Sequence, residues 1–234
     1  MNLFIKKLFY SLPASHVLMF HHIDDGNLNT QSKCVLDYDK FIEIIDSGLR
    51  FISVNQYLKF KFSNKNKVAI TFDDGLEDVY RVAYPQLKER NIPFTVFVIV
   101  EYLDTDGYIT TAQLLEMSKD PLITIGSHGL THSVLKGMDF KQQQTELMNS
   151  KHKLENIIGK SVDLFAYSHG QYDETTLSIL KKTKCYGFSF GVCGYPTNLY
   201  TKLWKYNLPR LNCENDKRNF LIVKKKNSSK IVLI

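Results

Sequence analysis

Apolar residues along the chain follow two alternating rhythms. Short continuous runs, rich in β-branched and aromatic residues, occupy 16–20, 68–71, 95–100, 123–126, 164–167 and 186–190, with weaker ones at 51–53 and 206–208. Runs of this length and composition read as strands covered on both faces. Between them, apolar side chains recur at helical spacing. Phe41, Ile44 and Ile45 do so in 38–47, Val79, Val82, Ala83 and Leu87 in 76–90, and Leu147, Leu154 and Ile158 in 140–158. Gly159 stands where a helix C-cap is expected, and Pro93 opens a new strand. Each strand is thus followed by something able to cover it, which predicts an α/β fold of βα units around a mainly parallel sheet or barrel.

No internal repeat, low-complexity block or Pro/Ser-rich linker divides the 234 residues, and 44% hydrophobic content suffices for one large core. The expected organisation is a lead-in helix over 1–14, one catalytic domain over 15–215 and a basic tail over 216–234. Lys6 and Lys7 interrupt the apolar N-terminal stretch, so it reads as amphipathic rather than as a secretion signal. No run is long enough to span a bilayer. Cys34, Cys185, Cys193 and Cys213 are scattered without a CxxC pair, which favours neither a zinc ribbon nor a disulfide framework, and a cytoplasmic location is expected.

The net charge of +6 is concentrated late, at Lys217, Arg218, Lys224, Lys225, Lys226 and Lys230. No aromatic residues alternate with these lysines as a base-stacking platform requires, so nucleic acid is not the expected partner. A peripheral contact of this tail with an anionic membrane stays open.

Two strand-end motifs carry the candidate chemistry. VAITFDDG (68–75) is an apolar strand ending in Asp73, Asp74 and Gly75, where a barrel strand delivers residues to a catalytic rim. Turn chemistry with a helix N-cap explains the same triplet equally well. SHGLTH (127–132) shifts the balance. His128 and His132 lie four residues apart, one helical turn, so both can reach one ion. Two histidines and a carboxylate form a half-open divalent site, with a position left for water whose pKa the ion lowers. A second acidic stretch, Asp104 to Ile109, copies the middle of an EF-hand loop. Tyr102 and Gln113 occupy its first and twelfth ligand positions, so it reads instead as a turn leading into a helix capped by Thr110 or Thr111. Asn227-Ser228-Ser229 fits a glycosylation pattern that means little without a secretion signal.

VAITFDDG with SHGLTH resembles the polysaccharide deacetylase family, the NodB-homology group of carbohydrate esterase family 4, over roughly residues 15–212. The resemblance implies a single-domain, distorted (β/α)7 barrel. It implies Asp73 as catalytic base, and Asp74, His128 and His132 as ligands of a divalent metal, usually zinc. HVLMFHHID (16–24) is similar to the LMYHxI opening of the circularly permuted branch, which makes His21 the candidate general acid, the alternative being a polar strand end. His22 would face the other way.

LFAYSHGQYD (164–173) resembles the family's FAYPYG segment, which implies an oxyanion-holding amide and substrate contacts around Tyr167 and His169. Ser168 and His169 replace the usual Pro-Tyr, and Ala166 stands where other branches carry an arginine. LPRL (208–211) resembles the permuted branch's late Pro-Arg segment, so Arg210 either takes over that arginine's pairing with Asp73 or is a surface residue.

The activity implied is metal-dependent N-deacetylation of N-acetylated amino sugars in cell-surface glycan biosynthesis. The rivals are an amidase or esterase acting on a nucleotide- or lipid-linked sugar, and a non-catalytic carbohydrate-binding descendant.

Overall fold

A computed structural model describes residues 16–59, 67–192 and 205–214, and the backbone of 220–225 and 228–233. The lead-in helix expected over 1–14, Cys193 and much of the basic tail lie outside the described residues.

The strands in chain order are β1 (His16–Phe20), β2 (His22–Asp24), β3 (Val35–Asp37), β4 (Arg50–Phe51), β5 (Lys67–Phe72), β6 (Phe94–Val98), β7 (Ile123–Ser127), β8 (Leu164–Ala166), β9 (Phe188–Phe190) and β10 (Leu211–Asn212). Two more, β11 (Phe220–Lys225) and β12 (Ser228–Leu233), pair antiparallel with each other. The helices are α1 (Tyr38–Ile45), α2 (Val54–Lys59), α3 (Tyr84–Glu89), α4 (Thr111–Lys119), α5 (Phe140–Ile158) and α6 (Glu174–Thr183).

Seven strands form one parallel sheet in the order β10-β1-β5-β6-β7-β8-β9, and β4 adds to β5. The sheet curls until its edges meet. Leu208 bridges Phe190 of β9, exchanging hydrogen bonds with Ser189 and Gly191 at 2.9 Å, and three residues later Leu211 pairs with Leu18 of β1. A curled parallel sheet with helices outside follows, the fold that the alternating pattern and the resemblance anticipate.

Its strands are apolar on both faces because each face meets a different core. Val17, Ala69, Phe97, Leu164, Ala166, Phe190 and Leu208 belong to a cluster that includes the barrel interior, whereas Leu18, Ile70, Val96, Phe165 and the helix residues Phe41, Leu87, Leu114 and Leu147 pack as the outer layer. No helix among the described residues is long and apolar enough to cross a membrane.

Several boundaries differ from the pattern. The periodicity over 76–90 becomes a π-helical turn, Val79–Ala83, followed by α3. Pro85 is the cause: it has no N–H to return to the preceding turn, so the ladder is re-registered there. The run at 95–100 leaves the sheet after Val98 for a tight turn over Val100–Tyr102. The weak candidate at 206–208 is only the Leu208 bridge, and the strand itself is β10. Thr110 does cap α4, in a reciprocal box with Gln113, and Gly159 ends α5 at φ 67°. Asp104 accepts the Thr111 amide and hydroxyl at 2.8 and 2.6 Å, so its carboxylate is committed to the start of α4.

Candidate active site

Asp73 and Asp74 follow β5 directly. On a continuing strand their side chains would diverge, but Asp74 takes a left-handed backbone, φ 73°, and Gly75 repeats it at φ 76°. The reversal turns both carboxylates into one cleft. A side chain at position 75 would press on Val98 at 3.3 Å in addition to the unfavourable φ, so glycine is required there.

β7, two strands away, ends at Ser127, and His128 follows it. Its Nε2 stands 3.3 Å from Asp74 Oδ1 and 3.9 Å from Asp73 Oδ2. His132 Nε2 lies 3.5 Å from the same Asp74 oxygen. The helical turn suggested by the four-residue spacing is not what joins these imidazoles. The loop 128–132 has no helix; it folds back through Gly129 at φ 90° and His132 at φ 61°.

The ligand atoms of Asp74, His128 and His132 all lie within 4.8 Å of one another. Three features suit them to a cation. Asp74 Oδ1 is buried with no hydrogen-bond partner among the described residues. His128 Nδ1 is 2.9 Å from Ala166 O, a bond that puts the proton on Nδ1 and leaves Nε2 as a lone pair. Burial pulls the His132 pKa down to about 4, so this ring is neutral near pH 7.

Arg210 is 1% exposed and meets Asp73 through two parallel bonds, Nη1 to Oδ1 at 2.6 Å and Nη2 to Oδ2 at 2.7 Å. Its Nε donates to Gly191 O, and the guanidinium stacks 5.3 Å from the centre of the Phe97 ring. It is not a surface arginine. Burial alone would raise the Asp73 pKa, but the charge of Arg210 and its paired bonds hold it below the ordinary carboxylate value.

His21, at the end of β1, places Nδ1 2.9 Å from Glu214 Oε1. Burial opposes the charged imidazole; the Glu214 bond and the fields of Asp73 and Asp74 outweigh it and raise the His21 pKa. His22 does face away, its Nδ1 lying 2.8 Å from Asp78, which also accepts the Ile23 amide.

The turn over Ser168–Gly170 closes the cleft. Tyr167 is buried, stacks on Tyr172 and donates its hydroxyl to Tyr206 O at 2.6 Å, so its phenol is a support of the wall. The Tyr167 amide is engaged by Phe190 O and that of Gly170 by Tyr167 O, which removes both as oxyanion donors. Ser168 Oγ donates to His128 O at 2.8 Å, and the His169 ring lies 4.5 Å from that of His132. The serine that departs from the family pattern therefore braces the backbone of His128.

Sequence reasoning passed over two carboxylates. Glu214 lies two residues past a weak strand. Glu146, buried in α5, accepts the Leu130 and Thr131 amides and the Thr131 hydroxyl, and so fixes the loop that carries His132. A carboxylate among the inward positions of an amphipathic helix is the one signal that pointed to it. The cleft encloses about 420 Å³, and His21, Asp73, Asp74, His128, His132, Tyr167, His169 and Glu214 all line it.

A family model described as polysaccharide deacetylase matches residues 61–188. The chain is 32% identical to YxkH of Bacillus subtilis, which bears a polysaccharide deacetylase name, over 77% of this chain and 64% of that protein, so it spans less than two thirds of that relative. It is 25% identical to the poly-beta-1,6-N-acetyl-D-glucosamine N-deacetylase of Staphylococcus epidermidis over 93% of this chain and 85% of the other. The structure of Streptococcus pyogenes deacetylase PplD in complex with acetate superposes with a TM-score of 0.71 at 25% identity, covering 84% and 91% of the two chains.

Proposed function

The chain belongs to the polysaccharide deacetylase family, and from that premise we propose that it is a metal-dependent N-deacetylase removing acetyl groups from N-acetylated amino sugars of a glycan. The observation that carries this reading is the opposition, across one cleft, of a carboxylate paired with Arg210 and an imidazole paired with Glu214, with the Asp74–His128–His132 cluster between them.

Asp74, His128 and His132 are the residues that would hold a divalent cation, zinc being suited to two imidazoles and one carboxylate. When bound, that cation supplies Lewis acidity toward the acyl carbonyl and water. Asp73 takes the proton from the attacking water. Arg210 keeps both carboxylate oxygens fixed in the orientation that receives it, and Ser168 and His169 offer the remaining amides of their turn to the developing oxyanion. His21 gives its proton to the departing amine. Without that transfer the amine is a poor leaving group and the tetrahedral species collapses back to substrate.

The Staphylococcus relative's name makes β-1,6-linked N-acetylglucosamine oligomers the first substrate to assay, alongside nucleotide-linked N-acetyl sugars. Asp73→Asn with its metal content retained is expected to release acetate about 10²- to 10⁴-fold more slowly than the unaltered protein, the range for a general base. A near-normal rate would overturn the assignment.

A further inference from the structure

A second set of donors converges in the same cleft. His21, Cys34 and Glu214 bring one ligand atom each to within 4.8 Å of one another. They come from three parts of the chain, and each is held in place. His21 ends β1. Cys34 precedes β3, where its carbonyl accepts the His22 amide at 3.1 Å and its own amide donates to Ser32 Oγ at 3.1 Å. Glu214 is buried, with Oε2 bonded to Asn212 Nδ2 at 2.9 Å and its amide bonded to Asn212 Oδ1 at 3.0 Å. Oε1 turns to His21 Nδ1 at 2.9 Å.

The deacetylation chemistry above uses His21 and Glu214 but has no use for a thiol. We propose that His21, Cys34 and Glu214 form a second cation site, specific for borderline-soft divalent ions such as zinc, cobalt and cadmium, and that its occupation inhibits the enzyme.

Thiolate, imidazole and carboxylate make a donor set that such ions accept and that magnesium or calcium, which require all-oxygen shells, do not. A tetrahedral ion with bonds of about 2.0–2.3 Å has donor-to-donor edges of roughly 3.5 Å, within reach of the observed cluster by small side-chain adjustments. The three residues line the open cleft, which gives the fourth position to water. On binding, the thiol and the imidazolium each lose a proton to solvent, and the ring binds as neutral imidazole. A ring that carries the ion in place of a proton is no longer an imidazolium and cannot hand a proton to a departing amine. The binding half of the proposal stands on geometry alone; the inhibitory half rests on the deacetylase reading.

Metal-stripped protein is titrated with Co(II) and followed by bound-metal stoichiometry and near-ultraviolet absorption. Since the Asp74–His128–His132 cluster contains no sulfur, a thiolate-to-cobalt charge-transfer band reports only the second site. The unaltered protein is expected to bind two equivalents and show the band; Cys34→Ser is expected to bind one and lose it, and that retained equivalent shows that the variant is folded. Absence of the band, its persistence in Cys34→Ser, or equal stoichiometry in both proteins overturns the site.

The ratio of acetate-release rates at two equivalents and at one should then fall about a hundredfold in the unaltered protein, the lower range of a general acid's contribution, and stay near unity in Cys34→Ser. Equal ratios overturn the inhibitory half. A band that behaves as stated in a protein inactive on every N-acetyl sugar supports the site and counts against the deacetylase reading.

Discussion

One wall of the cleft comes from the stretch 73–132, where β5 and β7 end in adjoining motifs and the Asp74, His128 and His132 donors hang from loops of the sheet's middle. The facing wall joins His21, at the end of β1, to Arg210 and Glu214, which flank β10 near the other end of the described chain. The family match over 61–188 encloses the first wall and excludes the second. The first needs only three successive strands, β5 to β7, and their loops to form. The second exists only when the curled sheet brings β10 against β1, so the arginine paired with Asp73 and the carboxylate paired with His21 both depend on the seam. The Asp74–His128–His132 cluster proposed to hold a cation can therefore persist in a protein whose Arg210 and Glu214 pairings have been undone.

The sharpest way to break this comparison is Arg210→Met. Removing the guanidinium leaves the Asp73 carboxylate buried and unpaired at the seam, a change expected to lower unfolding stability by about 3–5 kcal/mol in urea denaturation. Adding Asp73→Asn to the same protein should return more than half of that loss, since no buried charge remains. A single-variant loss below about 1 kcal/mol would show that the pair is solvated and that the seam does not depend on it.

The two walls also differ in how far they could be read in advance. Continuous motifs made Asp73, Asp74, His128 and His132 visible, because residue types and spacing survive in a linear string. The mechanism of their convergence did not survive there: the left-handed turns at Asp74 and His132 replace the helix that a four-residue spacing suggests, and φ is invisible in composition. Arg210 could be named only by resemblance, and Glu214 not at all, since a carboxylate two residues after a two-residue strand has no pattern until β10 is paired. The fold was legible for a related reason. Strands covered on both faces write uninterrupted apolar runs, whereas the re-registration at Pro85 and the short β10 leave almost none.

Acid should separate the walls more gradually. His16 begins β1, pairs in register with Val68 and is buried; that burial lowers its pKa from 6.5 to about 4. The folded state thus prefers the neutral ring, and the unfolded chain binds the extra proton. The contribution of this group is fully present above pH 6.5 and is lost as pH falls toward 4, by about 3 kcal/mol in all at 1.36 kcal/mol per unit. In His16→Leu the fall in urea-unfolding stability between these pH values should be smaller by about that amount. Equal slopes in the two proteins would mean that the ring is hydrated in the folded state.

The smallest expected effect tests whether the walls touch at all. Ser168 belongs to the turn after β8, yet its hydroxyl bonds the carbonyl of His128, so it ties the floor of the cleft to the wall that carries Asp74, His128 and His132. Ser168→Ala removes one neutral, buried hydrogen bond and leaves the His128 carbonyl short of a donor, which is expected to cost about 1 kcal/mol of stability. The His128 ring should stay in place, because its Nδ1 bond to Ala166 O and its amide bond to Val98 O are untouched. Cation affinity measured by competitive chelation should then weaken by no more than about tenfold, the low end for losing an outer-shell partner. A loss beyond a hundredfold would show that the serine, rather than the Ala166 carbonyl, sets the orientation of His128, and that the cation side is not self-sufficient after all.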